Sequence, residues 1–227
     1  MGDFAFGTAG ATVTVGSFDG VHLAHRAVLD ETVRRAEAAR QQSVLVTFEP
    51  HPLEVVRPDR APELLSTPAE RRAALAETGI GHMLVLRFDA QMAALPPERF
   101  VREMLLDRAR MRELVVGYDH GLGRGRSGDV ETLRRMGAAE GFTVTVVSPV
   151  EVDGVRVSSS RIRQAIAEGD LGLAARLLGR PYRVSGPVVP GERRGRVLGV
   201  PTINLAVPPR KLLPPDGVYA VRVEWRD

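Results

Sequence analysis

Residues 12–26 decide the fold of this chain, and they read TVTVGSFDGVHLAHR. The first four, Thr12 to Val15, are β-branched and short, which is typical of a buried strand. Gly16 to Gly20 form a glycine-bounded turn, and a helical pattern runs from about Val21 to Gln41. A strand, a tight turn and a helix in direct succession predict the first half of a βαβ unit, whose ligands bind where the strand ends.

The same alternation of strand and helix continues along the chain. Thr67, Pro68 and Glu70 supply an N-cap, a first-turn proline and a capping-box acid, which together predict a helix start. Such alternation predicts an α/β fold with a Rossmann-like parallel sheet covered on both faces. The further strands are predicted at Ser43–Phe48, Met83–Phe88, Leu114–Gly117 and Thr143–Val147, and the further helices at Pro97 to about Arg110 and Asp129–Ala139.

The texture of the sequence changes near residue 180. Before it, Ser159 or Ser160 is predicted to cap one short helix and Asp170 another. After Pro181, glycine, proline and arginine increase, and short β-type runs appear at Val184, Val188-Val189 and Val218–Trp225. We therefore expect a first domain over residues 1–180 and a second, all-β module over residues 181–227.

The composition excludes several classes of protein. The chain has 227 residues, 44% hydrophobic and 26% charged, which is ordinary for a globular protein. No run approaches about 18 apolar residues, so no membrane span is expected. The absence of cysteine excludes disulfides and thiolate metal sites, and no secretion signal is apparent, so the cytoplasm is the expected location.

The basic residues point to an anionic ligand. Lys211 is the only lysine among 31 basic residues, which excludes a phosphate-binding GxxxxGK[ST] loop and leaves phosphate binding to arginine. From Arg183 onward there are 8 basic and 4 acidic residues, a net charge of +4. Charge alone leaves both a nucleic acid and a small phosphorylated ligand open.

Two histidines in the first helical turn make the strongest candidate site. His22 and His25 are three residues apart and share a helix face, next to unpaired N–H groups and the positive end of the helix dipole. A polyphosphate suits this place. One alternative is a metal site. The other is a capped helix whose histidines have no role in binding.

Two loops at the ends of later strands add candidates. Phe48, Pro50 and His51 end the second strand with an aromatic face and a rigid backbone. The segment 117–128 has five glycines in twelve residues, with Asp119 and the two arginines Arg124 and Arg126 available to a ligand. Each pattern alone is equally compatible with an ordinary turn or a flexible loop.

Two further motifs lie toward the C-terminus. Ser158-Ser159-Ser160-Arg161-Ile162-Arg163 combines a serine cap with arginines and predicts a second anion site. Thr202 and Asn204 lie two apart on an extended segment, so they face the same way and could hold a hydrated Mg²⁺ beside phosphates.

Five blocks together, in this order, resemble the bacterial bifunctional riboflavin kinase/FAD synthetase family. They are GSFDGVHLAHR, VTFEPHP, VVGYDHGLGRGRSGD, VSSSRIR and GRVLGVPTINL, at residues 16–26, 46–52, 115–129, 157–163 and 195–205. The resemblance implies a nucleotidyltransferase domain that transfers AMP from MgATP to FMN. It also implies a partial riboflavin kinase-like β-barrel after it.

The resemblance also implies roles for individual residues. His22, His25 and Arg163 would be catalytic, with a positive field that neutralises the leaving pyrophosphate. The ATP-binding residues would be Gly16, Phe18, Gly20, His22, His25, Ser159, Ser160 and Arg163. The flavin-binding residues would be Phe48, Pro50, His51, Asp119, Arg124 and Arg126, and Thr202 and Asn204 would be the kinase-side Mg²⁺ residues.

The chain departs from the family pattern at several positions. Ala24 stands where the family has glycine, and His120 and Leu122 stand where it usually has aromatic residues. We expect weaker ATP and flavin contacts there. The family's catalytic kinase glutamate is expected beyond Asp227, so riboflavin phosphorylation is not expected of this chain.

The expected function is therefore FAD synthesis from FMN and ATP, with Mg²⁺ as cofactor. The alternative is a non-catalytic flavin- or nucleotide-binding module. Nucleic-acid binding is the weakest alternative, because the basic segments lack the interleaved aromatics that single-strand binders use.

Overall fold

The computed structural model describes residues 9–191, 199 and 202–225. Its centre is a five-stranded parallel sheet in the order β3-β2-β1-β4-β5. Because the chain runs from β1 to one side and then returns to the other, the strand order switches between β1 and β4, where ligands bind in such sheets. The strands are β1 Ala11–Val15, β2 Gln42–Glu49, β3 His82–Arg87, β4 Met111–Gly117 and β5 Thr143–Val147.

Helices connect the strands, and short irregular helices line the loops. The main helices are α1 Leu23–Ala39, α2 Pro52–Val56, α3 Pro68–Ala76, α4 Ala90–Ala94, α5 Pro97–Phe100, α6 Val130–Glu140, α7 Ser159–Ala167 and α8 Leu171–Leu178. A two-stranded hairpin, β6 Glu151–Val152 with β7 Val155–Arg156, precedes α7. The α/β fold with a parallel sheet that the sequence predicts is confirmed.

The central strands of the sheet are buried on both faces. All five residues of β1 are buried, as are Ser43 to Thr47 of β2. One apolar cluster packs β1 and β4 against Phe100, Val101 and Leu105, and another packs Val21 and Leu29 against α3. A further cluster, which includes Ile162, Ile166 and Leu177, joins α7 and α8 to the region around the turn after β1.

Some element boundaries differ from the sequence prediction. The helix predicted from Pro97 to about Arg110 is α5 followed by a wider π-helical segment, Val101–Arg108. The N-cap of α7 is Ser158, whose hydroxyl accepts the N–H of Arg161, and not Ser159 or Ser160. Three adjacent serines can all cap a helix, so only packing of the following turn selects one of them.

The described part of the second module is only partly regular. Strands β8 Val188–Val189 and β9 Asn204–Leu205 pair antiparallel. The strands predicted at Val184 and at Val218–Trp225 are not formed in the structure, and Val218 and Trp225 are 103% and 63% exposed. A barrel is therefore not confirmed. The basic run Arg193-Arg194-Gly195-Arg196 lies outside the described residues.

The start of the second module packs against the first. Lys211 pairs with Leu64 in an isolated β-bridge, in which Leu64 donates its N–H to the carbonyl of Arg210 and accepts the N–H of Leu212. Among the helices of the described residues, none combines the length and apolar composition that crossing a bilayer requires.

Candidate active site

The turn after β1 has an unusual backbone. Phe18, Gly20 and Val21 have φ angles of +50°, +82° and +42°. A positive φ is rare for any residue with a side chain and is exceptional for a β-branched one such as Val21. At Gly20 a Cβ atom would come within 2.9 Å of Leu65, so the residue must be glycine for packing as well as for conformation. Strain of this kind persists where the surroundings fix the backbone, and it is concentrated at functional sites.

Asp19 fixes this turn from within. It is 2% exposed. Its carboxylate accepts the N–H groups of Leu65 and Ser66 and the hydroxyl of Ser66, each at 2.9 Å. Arg163 donates to the same carboxylate at 2.6 Å. A buried carboxylate with four donors is fully satisfied, so it holds the turn, the segment 65–66 and helix α7 together.

The two histidines lie at the start of α1, as the sequence predicts. His22 is the N-cap, and its Nδ1 accepts the N–H of His25 at 3.2 Å. The two rings stack with centroids 3.6 Å apart. Because Nδ1 of His22 is an acceptor, the proton of the neutral ring lies on Nε2, which can donate to a phosphate oxygen.

Burial makes both histidines neutral at pH 7. Desolvation lowers the pKa of His22 to about 4, against a smaller opposing effect of Asp19. Burial, with the nearby His22 and Arg163, lowers the pKa of His25 well below its usual value. In the folded chain burial therefore favours the neutral form of both rings, so they act as hydrogen-bond partners there and not as the positive charges that the sequence analysis expects.

Helix α7 brings the second anion-binding motif onto the same turn. The hydroxyl of Ser159 donates to the carbonyl of Asp19 at 3.3 Å, and Nε of Arg163 donates to the carbonyl of Glu63 at 2.7 Å. Ser160 is exposed. Arg163 uses two of its five N–H groups in these contacts, so three remain for a ligand. The structure thus brings Ser159 and Arg163 onto the turn 16–22 and His25, although Ser159 is 140 residues from Asp19 in sequence.

Ala24, which stands where the family has glycine, points its side chain into the protein. Its side chain is partly buried and packs against the apolar cluster of α7 and α8. Gly16, the remaining member of the predicted ATP set, continues the sheet, because its N–H donates to the carbonyl of Val46 at 3.0 Å.

The predicted flavin residues of the second strand lie at the adjacent strand end. The ring of Phe48 packs against Phe88 and Phe100, with centroids 5.3 and 6.0 Å away. Pro50 is exposed and follows a cis peptide bond. His51 caps α2. Burial lowers its pKa, and Asp19 opposes this effect while Arg163 adds to it.

The glycine-rich loop places its charged residues on the surface. Asp119, Arg124 and Arg126 are exposed, and Arg126 donates to the carbonyl of Asp119 at 2.8 Å. Leu122 is buried in the main cluster and pairs with Gly128. Burial and the nearby Arg126 lower the pKa of His120 to about 4. Its Nε2 is buried and has no hydrogen-bond partner within the described residues.

The two predicted Mg²⁺ residues of the tail are exposed. Asn204 lies on β9 opposite Val189, and Thr202 precedes it by two positions. Their neutral oxygens suit a hydrated Mg²⁺ whose charge is balanced by phosphates. No group of three or more metal-binding His, Asp or Glu side chains occurs in the described part of the chain.

Sequence reasoning missed Ser66, Arg71 and Arg180, which contact the turn directly. Ser66 accepts the N–H of Gly20 at 2.9 Å. Arg71 donates to the carbonyl of Ser17, and Arg180 donates to the carbonyls of Gly20 and Val21. Residues 67–70 mark a helix start, but no local signal indicates that the arginine after them lies beneath the turn.

A strained turn at the switch point of a parallel sheet, with a second helix start that bears serines and an arginine packed against it, defines a nucleotidyltransferase-like α/β domain. Residues 7–161 match the FAD synthetase family, and residues 178–227 match the riboflavin kinase family. The chain belongs to the bifunctional riboflavin kinase/FMN adenylyltransferase family.

Individual relatives support this assignment. The bifunctional riboflavin kinase/FMN adenylyltransferase of Escherichia coli (strain K12) is 40% identical over 214 residues, which cover 94% of this chain and 68% of that protein. The protein of the same name from Pseudomonas fluorescens is 40% identical over 215 residues, 95% of this chain and 68% of that protein. A solved structure described as a macrolide-efflux protein from Streptococcus pneumoniae superposes with a TM-score of 0.81 at 33% identity, covering 95% of this chain and 70% of that one.

Proposed function

We propose that the first module transfers AMP from ATP to FMN and releases pyrophosphate, with the turn 16–22 and helix α7 as the ATP-phosphate site. The observation that carries this proposal is the contact of two distant anion-binding motifs at one strand end, through Arg163 and Asp19. FMN adenylyltransfer fits the family of the chain, and ATP and FMN are its substrates. The alternative of a non-catalytic binding module does not fit it.

In the reaction a phosphate oxygen of FMN attacks the α-phosphorus of ATP. A phosphorus–oxygen bond forms between the two substrates, and the bond from the α-phosphorus to the bridging oxygen of pyrophosphate breaks. The second pKa of a phosphate monoester is about 6, so the nucleophile is already ionised near pH 7. Catalysis then consists of aligning two anions and stabilising the charge on the leaving group.

The residues of the site divide this work. Arg163 supplies a permanent positive charge, and Nε2–H of His22 supplies a neutral donor beside it. The start of α1 adds N–H groups and the positive end of a 17-residue helix. Ser159 and Ser160 would bind phosphate from the opposite side. Phe48, Pro50, His51, Asp119, Arg124 and Arg126 remain the proposed flavin residues.

Mg²⁺ is the proposed metal. In the first module no carboxylate cluster of the described residues would hold it alone, so it would bind together with the phosphates of ATP. When bound, it neutralises phosphate charge. Thr202 and Asn204 remain the proposed Mg²⁺ residues of the second module.

The test is incubation of the protein with ATP, Mg²⁺ and FMN, followed by chromatography of the flavins. We expect FAD and an equal amount of pyrophosphate. His22→Ala and His25→Ala should lower turnover more than flavin binding. Equal losses in turnover and flavin binding would count against the assignment of the histidines to ATP.

Riboflavin phosphorylation is the second candidate function, favoured by the match of residues 178–227 to riboflavin kinase. The same chromatography with riboflavin in place of FMN tests it, with FMN as the product of the reaction. The domain boundary between residues 180 and 181 and the location in the cytoplasm also stay predictions.

A further inference from the structure

The carbonyl groups of the turn after β1 are bound by side chains from several elements. Nη1 of Arg71 donates to the carbonyl of Ser17 at 3.1 Å, and the hydroxyl of Thr47 approaches the same oxygen at 3.4 Å. Nη2 of Arg180 donates to the carbonyl of Gly20 at 2.6 Å, and its Nη1 donates to that of Val21 at 2.9 Å. The two guanidinium groups therefore hold both ends of the turn by its oxygen atoms.

This arrangement fixes the direction of the N–H groups. In a trans peptide the N–H points opposite to the C=O of the same peptide unit. Binding of the Ser17 carbonyl by Arg71 therefore directs the N–H of Phe18 away from Arg71. Binding of the Val21 carbonyl by Arg180 directs the N–H of His22 away from Arg180. Neither of these two N–H groups has a hydrogen-bond partner within residues 9–191 and 202–225.

Arg71 is an unusual choice for a purely structural contact. It is 8% exposed, and its second amino group donates to the carbonyl of Phe48 at 3.2 Å, at the end of β2. No carboxylate oxygen of the described residues lies within 4 Å of its guanidinium. Burial lowers the pKa of Arg71, which reflects the cost of a buried charge without a contacting anion. A neutral amide side chain could bind carbonyls at lower cost, so the positive charge calls for an explanation.

Arg180 reaches the turn from the end of the first domain, just after α8. It follows Gly179, which ends α8 in the left-handed conformation and turns the chain toward the turn. Its side chain is partly buried, and both amino groups point at main-chain oxygens. The ATP-phosphate turn is thus held on one side by α3 and on the other by the segment that joins the two modules.

We propose that Arg71 and Arg180 are positioning residues for ATP, which hold the oxygen side of the turn so that the N–H groups of Phe18 and His22 face the triphosphate. This inference rests on the proposed function of the turn. Their charges also polarise the peptide groups that they bind, which makes the opposite N–H groups better donors to an anion. Arg71 additionally ties this turn to the flavin-side strand end through Phe48.

The test is steady-state kinetics of FAD formation by the full chain. Arg180→Met and Arg71→Met should each raise the KM for ATP by about tenfold, because an N–H donor to the triphosphate loses its orientation. The KM for FMN should stay within about twofold in Arg180→Met and rise about threefold in Arg71→Met, which also loses the Phe48 contact. Lysine at either position keeps the charge and can still donate to a carbonyl, so it should restore the KM for ATP to within about threefold of the wild type.

Matched controls are available next to each arginine. Arg72 follows Arg71 on α3 and is exposed, and Arg183 lies three residues after Arg180 and is exposed. Arg72→Met and Arg183→Met should leave both KM values unchanged.

Two outcomes would overturn the inference. The first is a KM for ATP within twofold of the wild type in Arg71→Met and Arg180→Met while their melting temperatures fall. The second is an equal rise in KM for both substrates with no recovery in the lysine variants. If Arg71→Met does not fold, the KM values of Arg180→Met and of the lysine variants decide whether the inference holds. Failure of the wild-type chain to form FAD would instead refute the proposed function, and the inference with it.

Discussion

Arg163 on α7 and Asp19 in the turn after β1 form a buried ion pair, with 2.6 Å between Nη2 and Oδ2. Their side chains are 18% and 3% exposed. The pair joins the two halves of the candidate ATP site, so its strength determines how closely α7 lies against the turn. The same arginine is the proposed phosphate ligand, which makes Asp19 the residue that places it.

Replacing Asp19 with asparagine should therefore affect stability and activity together. Breaking a buried pair by removing one charge costs about 3 kcal/mol or more, because the remaining charge is left unpaired. We expect a fall of that size in the free energy of unfolding, measured by denaturant titration, and a strong loss of FAD formation. Glu77→Gln is the control, since the Arg26–Glu77 pair is more exposed and should contribute less than about 1 kcal/mol. Equal effects of the two substitutions would contradict the prediction.

The pH dependence of stability should report on His22. Its pKa is about 4 in the folded protein and about 6.5 in the unfolded chain. Between these values the unfolded chain binds a proton that the folded protein does not. The free energy of unfolding should therefore be highest above pH 6.5 and fall toward pH 4, by about 3 kcal/mol from this residue.

His22→Asn isolates that contribution. Asparagine retains an N-cap acceptor for α1 but does not titrate. Chemical denaturation at a series of pH values should show a flatter slope for the variant than for the wild type. His25, His51 and His120 also have pKa values lowered mainly by burial, so some slope should remain. Identical slopes in variant and wild type would refute the burial of a neutral His22.

The sequence predicts the site better than it predicts the contacts that hold it. His22 and His25 are recognisable because a strand, a glycine turn and a helix start follow each other within 15 residues. Ser159 and Arg163 are recognisable as an anion-binding motif, but nothing local shows that they contact Asp19. Arg71 and Arg180 are missed because their partners are main-chain oxygens, which any sequence provides.

At Val218 to Trp225 the sequence predicts an element that the structure does not have. The β-type run there predicts a strand, yet the structure forms none over these residues. Before α7 the sequence offers three adjacent serines, and the structure has Ser158 as the N-cap. Local patterns therefore predict element type, and tertiary contacts set boundaries.

Glycine at position 40, on the surface at the end of α1, should raise the stability of the protein. Arg40 ends α1 in the left-handed conformation with φ +54° and is exposed. A residue with a Cβ atom is unfavourable there by about 1 kcal/mol relative to glycine. Arg40→Gly should raise the free energy of unfolding by up to that amount, and Ala39→Gly, one residue earlier inside the helix, should lower it by about 0.5–1 kcal/mol. Thermal and denaturant unfolding check both. A fall in stability for Arg40→Gly would mean that the arginine side chain has a stabilising contact.

The buried pair of Lys211 and Glu70 should behave as a coupled unit. Lys211 Nζ lies 2.8 Å from Glu70 Oε2, and the side chains are 1% and 7% exposed. Burial lowers the pKa of Lys211, against the opposing effect of Glu70. Lys211→Met should lower the free energy of unfolding by about 3–5 kcal/mol, because it leaves Glu70 uncompensated.

A double-mutant cycle measures this coupling. Glu70→Gln retains an oxygen that can accept the N–H of Thr67, as Glu70 does at 2.9 Å. The double variant should lose less stability than the sum of the single variants, with a coupling energy of about 1–3 kcal/mol. Additive effects would show that the pair does not contribute as a pair.

The position of Lys211 has a practical consequence for dissecting the protein. Its ammonium group also donates to the carbonyl of Leu65 and lies 4.2 Å from the centroid of the Tyr182 ring. A recombinant fragment that stops at residue 180 would thus expose Leu65 and Glu70 to water without their partner. A fragment with the adenylyltransferase domain is best ended after Leu212. Residues 181–212 then stay with the domain whose buried groups they cover.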